Sequence, residues 1–217
     1  MSSVTASTTP SYATTDTQRK NLYRFLAAKM AGLRTYYDGS PIVTNKDDAA
    51  AIKKAQETIH GDHKKLSYNS AYRYSQLGNN YGYTNALSSC CTYAFATALS
   101  IKNGRKITPD QITTESSTNG HNPVISEWGA YTVNTSGSET LKGIDAQLQL
   151  GNPVVIHAYG TDYSGANSQH WATVIGKENG KYIIIDPWDG QEHSLDEMQV
   201  YKNNGTIADY IILTNEY

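Results

Sequence analysis

A chain of 217 residues can bury a proper core, and eighteen Lys plus Arg against twenty Asp plus Glu leave a formal charge of −2, too little for a nucleic-acid field or a pull toward anionic lipid. No apolar run approaches the roughly 20 residues that cross a bilayer, and the N-terminus lacks the basic start and apolar centre of a secretory signal peptide, so a soluble product without a Sec leader is expected. Seventeen tyrosines against two phenylalanines favour half-buried amphipathic surface over a dry aromatic core.

Residues 1–15 are almost entirely Ser, Thr, Ala and Pro without periodicity, and read as a flexible tail that cannot offset the entropy of ordering. Residues 16–217 read as one domain, with a helical half to about residue 150 and a β half from about residue 151. Leu22, Phe25, Leu26, Met30 and Leu33 recur at three- and four-residue steps and predict a helix reaching Arg34. A second helix is expected from the Asn45 or Asp47 cap to Ile59, followed by a polar, Tyr-rich loop over 62–85. The apolar stretch Cys91 to Lys102 predicts the next helix, closed by Gly104. Thr108-Pro109-Asp110-Gln111 carries a cap with proline at the first helical position. Ser138 to Leu150 is the last predicted helix.

From there the character becomes β: Val154–Ala158, Trp171–Lys177, Tyr182–Asp186 and Asp209–Thr214 are rich in β-branched residues and punctuated by Gly, Asn and Pro. Helices first and strands last argue for an α+β fold rather than alternating βαβ units.

The two cysteines, Cys90 and Cys91, are adjacent. Neighbouring Cα atoms lie about 3.8 Å apart, closer than the roughly 4.4–6.8 Å of an ordinary bridge, so both are read as free thiols, suited to a reducing compartment. A thiolate is the reactive form, and it is favoured at a helix N-terminus and beside an imidazolium. Cys91 stands where the apolar helix begins, and His170 opens the strand in which His170, Ala172 and Val174 share one face, Ala172 leaving room for a partner helix. A hairpin turning through Glu178-Asn179-Gly180 would set Asp186 beside that strand, able to accept the imidazole Nδ1–H. Each residue alone has an ordinary explanation: a core cysteine, a strand-edge histidine, an Asp-Pro turn. Their order on a helix start and two successive strands points to nucleophilic catalysis.

Three blocks resemble the papain-like cysteine peptidases, in particular the compact bacterial branch of C39-like peptidases, staphopains and secreted effector proteases of plant pathogens. Cys91-Thr92-Tyr93-Ala94-Phe95-Ala96 resembles the nucleophile helix, Asn152 to Ile156 with Gln169-His170-Trp171-Ala172-Thr173-Val174-Ile175-Gly176 the central hairpin, and Tyr182 to Gly190 the Asp strand. The resemblance implies a papain-like fold, with the nucleophile helix packed on a C-terminal antiparallel sheet, and a catalytic Cys91, His170 and Asp186. Cys90 stays open as alternative nucleophile; Cys91 is preferred because an aromatic and an alanine then follow at two and three positions. An oxyanion amide is implied about six residues before the nucleophile, where Asn85 stands, with Gln76 competing. Trp171 and Trp188 are candidate cleft walls, and His157 is expected to face outward or line the cleft.

The implied activity is thioester-forming hydrolysis of a protein or peptide substrate; deamidation, transglutamination and peptidoglycan amide cleavage share its first step, and a binding module that has lost turnover is the non-enzymatic alternative. No cofactor is called for. His60 and His63 lack third and fourth ligands at a metal-binding spacing, so no metal site is expected. The Ser/Thr-rich start is compatible with an exported effector leader or with an ordinary tail on a cytoplasmic protein.

Overall fold

The computed structural model describes residues 36–37, 40–41, 62–78, 89–112, 123, 125–134, 137–203 and 205–213. The N-terminal tail, both predicted helices before residue 60 and Asn85 lie outside the described residues. In chain order the elements are β1 (Tyr36–Tyr37), β2 (Ser40–Pro41), α1 (Cys90–Asn103), α2 (Pro109–Ile112), β3 (Ala130–Asn134), α3 (Ser138–Gln149), β4 (Val154–Thr161), β5 (Asn167–Glu178), β6 (Lys181–Asp186), β7 (Gln191–Ser194), α4 (Gln199–Lys202) and β8 (Thr206–Leu213). The fold is α+β: β1 and β2 pair alone, and the other six strands form one antiparallel sheet in the order β3-β8-β4-β5-β6-β7.

Alternation along the strands gives the sheet two apolar faces. Val154, Ile156 and Ala158 of β4 join Ala172 and Val174 of β5 on one face, where Ile144 and Leu148 of α3 cover them. Val155 of β4 and Ile211 and Leu213 of β8 point the other way, onto Phe95 and Leu99 of α1. Helix α1 is buried on every side from Cys91 to Ser100, as a helix apolar around its circumference must be. Gly104, in the left-handed region at φ 63°, ends it by donating its N–H to Ile101 O. The Thr173 hydroxyl donates to Ala94 O at 2.7 Å and fastens α1 to the middle of β5. The expectation that α1 would use the space beside Ala172 is therefore corrected: it packs on the Thr173 face, and Ala172 belongs to the opposite cluster.

The predicted β5–β6 hairpin forms through Asn179 and Gly180, both at positive φ, 52° and 75°, the conformation a two-residue turn demands and Asn-Gly supplies. The Asp62 carboxylate accepts both turn amides, each at 2.8 Å. Those two backbone hydrogen bonds hold its pKa below the usual carboxylate value.

Residues 62–78, read from sequence as loop, form a strap across the sheet. His63 exchanges backbone hydrogen bonds with Lys177 at 2.8 and 2.9 Å, and Leu66 N–H donates to Ile175 O. The strap crosses at Gly176, where a β-carbon would lie 2.7 Å from the Lys65 Cα, so this position tolerates no side chain. Farther along, Tyr74 is buried in the α1 cluster, and Gln76 N–H donates to Pro187 O at 2.7 Å.

Beneath the strap, Asp145 of α3 is buried with Lys177 Nζ at 3.2 and 3.1 Å from its two oxygens. The Tyr182 hydroxyl donates to the same carboxylate at 2.7 Å.

Candidate active site

β6 pairs with β5 as far as Thr173↔Ile185, so Asp186 closes β6 just where β5 runs on toward His170. His170 Nε2 donates to Asp186 Oδ1 at 2.6 Å, with each side chain 13% exposed. The same oxygen accepts the Trp188 backbone N–H at 2.8 Å, in the turn after Pro187. The carboxylate is thus fixed from two directions.

The ring nitrogen engaged by Asp186 is Nε2, not the Nδ1 expected from sequence, so Nδ1 is the nitrogen that remains for a second partner. Cys90 is the other group that acts on the imidazole, its side chain raising the ring's pKa beside Asp186. Burial works against a charged ring, but the Asp186 and Cys90 interactions outweigh it and push the His170 pKa up to about 10. Burial opposes ionisation of Asp186 as well, yet the His170 hydrogen bond and charge leave its pKa below the ordinary value. Both shifts have the sign of an imidazolium–carboxylate pair.

Cys90 is the first residue of α1 and half-buried. The preceding Ser89 makes no side-chain cap and the first turn carries no acidic residue, so the positive end of the helix dipole acts at this thiol without local opposition. Cys91, which the motif spacing favours as nucleophile, is instead 5% exposed within the apolar cluster of α1. Burial, with Cys90 and Asp209 nearby, pushes its thiol pKa far above the normal range. Successive helical residues diverge by about 100°, and here that step separates a thiol on the imidazole from one in the core. Of the two thiols, Cys90 is the one that acts on the imidazole and Cys91 the one enclosed in the core.

Asn85, the expected oxyanion amide, lies outside the described residues. Its competitor Gln76 is 3% exposed beside the turn that follows Asp186, and its side-chain oxygen has no hydrogen-bond partner among the described residues. Trp188 is 48% exposed at the lip of the site, its carbonyl held by the Ser75 hydroxyl at 3.1 Å. Trp171 packs against the α1 cluster and stacks on His157, ring centroids 4.0 Å apart. His157 is buried rather than outward-facing, bonded through Nδ1 to Asp209 and through Nε2 to Gln169. Sequence reasoning missed this group; its one signal was a histidine inside a buried strand.

His63 packs toward Asp145 at 3.9 Å, and His193 pairs with Asp189 at 2.9 Å; His60 and His121 lie outside the described residues. Among the described residues no group of three or more His, Cys, Asp or Glu is placed to hold a metal ion, and no helix is long and apolar enough to cross a membrane.

No protein-family model matches the chain. No curated protein matches it either. Among solved structures, a Bacillus anthracis protein provisionally described as a C39-like peptidase aligns over 71% of this chain and 100% of its own, at 12% identity and a TM-score of 0.40.

Proposed function

We propose that the chain is a thiol hydrolase of papain-like architecture, acting on peptide bonds, with Cys90 as nucleophile, His170 as general base and acid, and Asp186 as the residue that orients the imidazole. The observation that carries this reading is the His170–Asp186 hydrogen bond at 2.6 Å, with Cys90, the first residue of α1, as the other group that acts on the same imidazole. In the reaction the Cys90 sulfur attacks the carbonyl carbon and His170 passes a proton to the leaving amine, leaving a thioester. Water activated by the same imidazole then releases the acid and restores the thiol. Asp186 keeps the ring in one tautomer, with Nδ1 toward sulfur. The N–H groups at the start of α1 and the Gln76 carboxamide supply the oxyanion donors, and Trp188 walls one side of the groove.

Deamidation, transglutamination and amide cleavage in peptidoglycan begin from the same thioester, so the test must read them together. The full chain is incubated with a peptide library and the products are weighed by mass spectrometry. Hydrolysed peptides that vanish with Cys90→Ala and persist with Cys91→Ala are expected. Deamidated or crosslinked products in place of cleavage would reassign the reaction, and no product with wild-type protein would remove the hydrolase reading.

A further inference from the structure

We propose that His157 is a positioning residue that sets the orientation of His170, an assignment resting on the reading of His170 as the reacting imidazole. His157 lies on β4 directly opposite Trp171 and is 7% exposed. Its ring stacks almost parallel on the Trp171 ring, at 4.0 Å and 8°, while Nε2 lies 3.0 Å from Gln169 Oε1. Gln169 and Trp171 are the two neighbours of His170 on β5. One buried ring therefore grips the chain on either side of His170.

The grip has its own anchor. His157 Nδ1 lies 3.1 Å from Asp209 Oδ2 on β8, and Tyr159 leans on the same ring at 4.4 Å. The β4–β8 register shifts between His157 and Ala158, immediately after the His157↔Asp209 pair. Such a bulge re-aims side chains beside a site, and here it accompanies the pairing of ring and carboxylate. β6 pairs with β5 only from Thr173 onward, so at His170 the sheet steadies β5 from the β4 side alone. The His157 contacts supply side-chain constraint there. The constraint matters because His170 must meet Asp186 and Cys90 together, and small misplacements of a reacting group are costly.

The test follows the His170 ring itself. Gln169 is exposed, so Gln169→Leu removes the acceptor without emptying a core, Gln169→Glu retains an acceptor oxygen, and His157→Phe keeps a ring on Trp171 but loses both nitrogens. In protein labelled with ¹⁵N at histidine, the His170 ring resonances should broaden or split in Gln169→Leu and His157→Phe and return to wild-type form in Gln169→Glu. The rate of Cys90 alkylation by iodoacetamide should fall about tenfold in Gln169→Leu with little change in melting temperature. His170 resonances of wild-type position and width in both disrupting variants overturn the proposal. Because the spectroscopic readout does not require turnover, the two readings fail separately. A slow wild-type Cys90 with perturbed His170 resonances supports the positioning role and removes the hydrolase; a fast Cys90 with unperturbed resonances does the reverse.

Discussion

Replacing either cysteine by alanine should divide reactivity from stability between two adjacent positions. Cys91 is 5% exposed among Phe95, Val155 and Ile211. Removing its sulfur forfeits burial worth about 0.8–1 kcal/mol, comparable to one methylene. A residual cavity of roughly 20 Å³ at about 24 cal/mol per Å³ adds ~0.5 kcal/mol. For a chain of 217 residues a loss near 1.5 kcal/mol lowers the melting temperature by about 3–6 °C. Cys91→Ala should therefore melt earlier and still alkylate rapidly. Cys90 is half-buried at the first position of α1, where alanine is a better helix former than cysteine, so Cys90→Ala should melt at or slightly above the wild-type temperature and lose the fast thiol. The assay is iodoacetamide labelling followed by intact-protein mass, beside a thermal melt monitored by circular dichroism. Rapid labelling of Cys90→Ala, or its loss in a Cys91→Ala protein of unchanged melting temperature, would refute the reasoning.

Three further outcomes are expected. The raised His170 pKa, from 6.5 to about 10, contributes stability fully present below pH 6.5 and lost as pH rises through about 10, whereas the lowered Asp186 pKa contributes stability present above 3.8 and lost in acid. The melting-temperature gap between wild type and Asp186→Asn should accordingly be widest between pH 3.8 and 6.5 and narrow toward both extremes; a gap independent of pH would contradict the ion pair. Gly176→Ala forces a β-carbon to within 2.7 Å of the Lys65 Cα and should cost about 1–3 kcal/mol in urea unfolding. Asp145→Ala strands the Lys177 ammonium, whose side chain is 13% exposed, and should cost about 3–5 kcal/mol by the same measurement, against about 1 kcal/mol for Tyr182→Phe.

Much of the fold was legible because its apolar runs are long or well punctuated. Helices α1 and α3 and strands β4, β5, β6 and β8 stand where periodicity and Gly or Asn stops predict them, though β4 and β5 extend farther as a hairpin. Strands β3 and β7 were missed. They are short edge strands of sequence Ala-Tyr-Thr-Val-Asn and Gln-Glu-His-Ser, and β7 has no apolar side chain to alternate. The strap was invisible because its bonds to the sheet, from the backbone of His63 and Leu66 and the side chains of Asp62, Lys65 and Tyr68, join segments far apart in the sequence.

At the site, the proximity of His170 and Asp186 followed from a legible Asn-Gly hairpin. The choice between Cys90 and Cys91 did not, since it depends on the angular position of α1 over the sheet. A helix buried all round leaves no polar stripe in its sequence from which to read that angle. For the same reason parity along β5 assigned α1 to the face of Ala172, although a hydroxyl at Thr173 holds it to the other. The partners of His157 were not foreseen because Asp209 and Gln169 come from two other strands.

The position of β8 between β3 and β4 bears on the order of assembly during synthesis. Strands β4 to β7 are joined by short hairpins and can zip together as they emerge from the ribosome, bringing His170 to Asp186 early, since local pairings close fastest. β3, made before all of them, has no neighbour in this sheet until residues 206–213 arrive to bridge it to β4. Asp209 travels on that late strand, so a nascent chain can possess its imidazole–carboxylate pair while the half-buried anchor behind it is still to be translated.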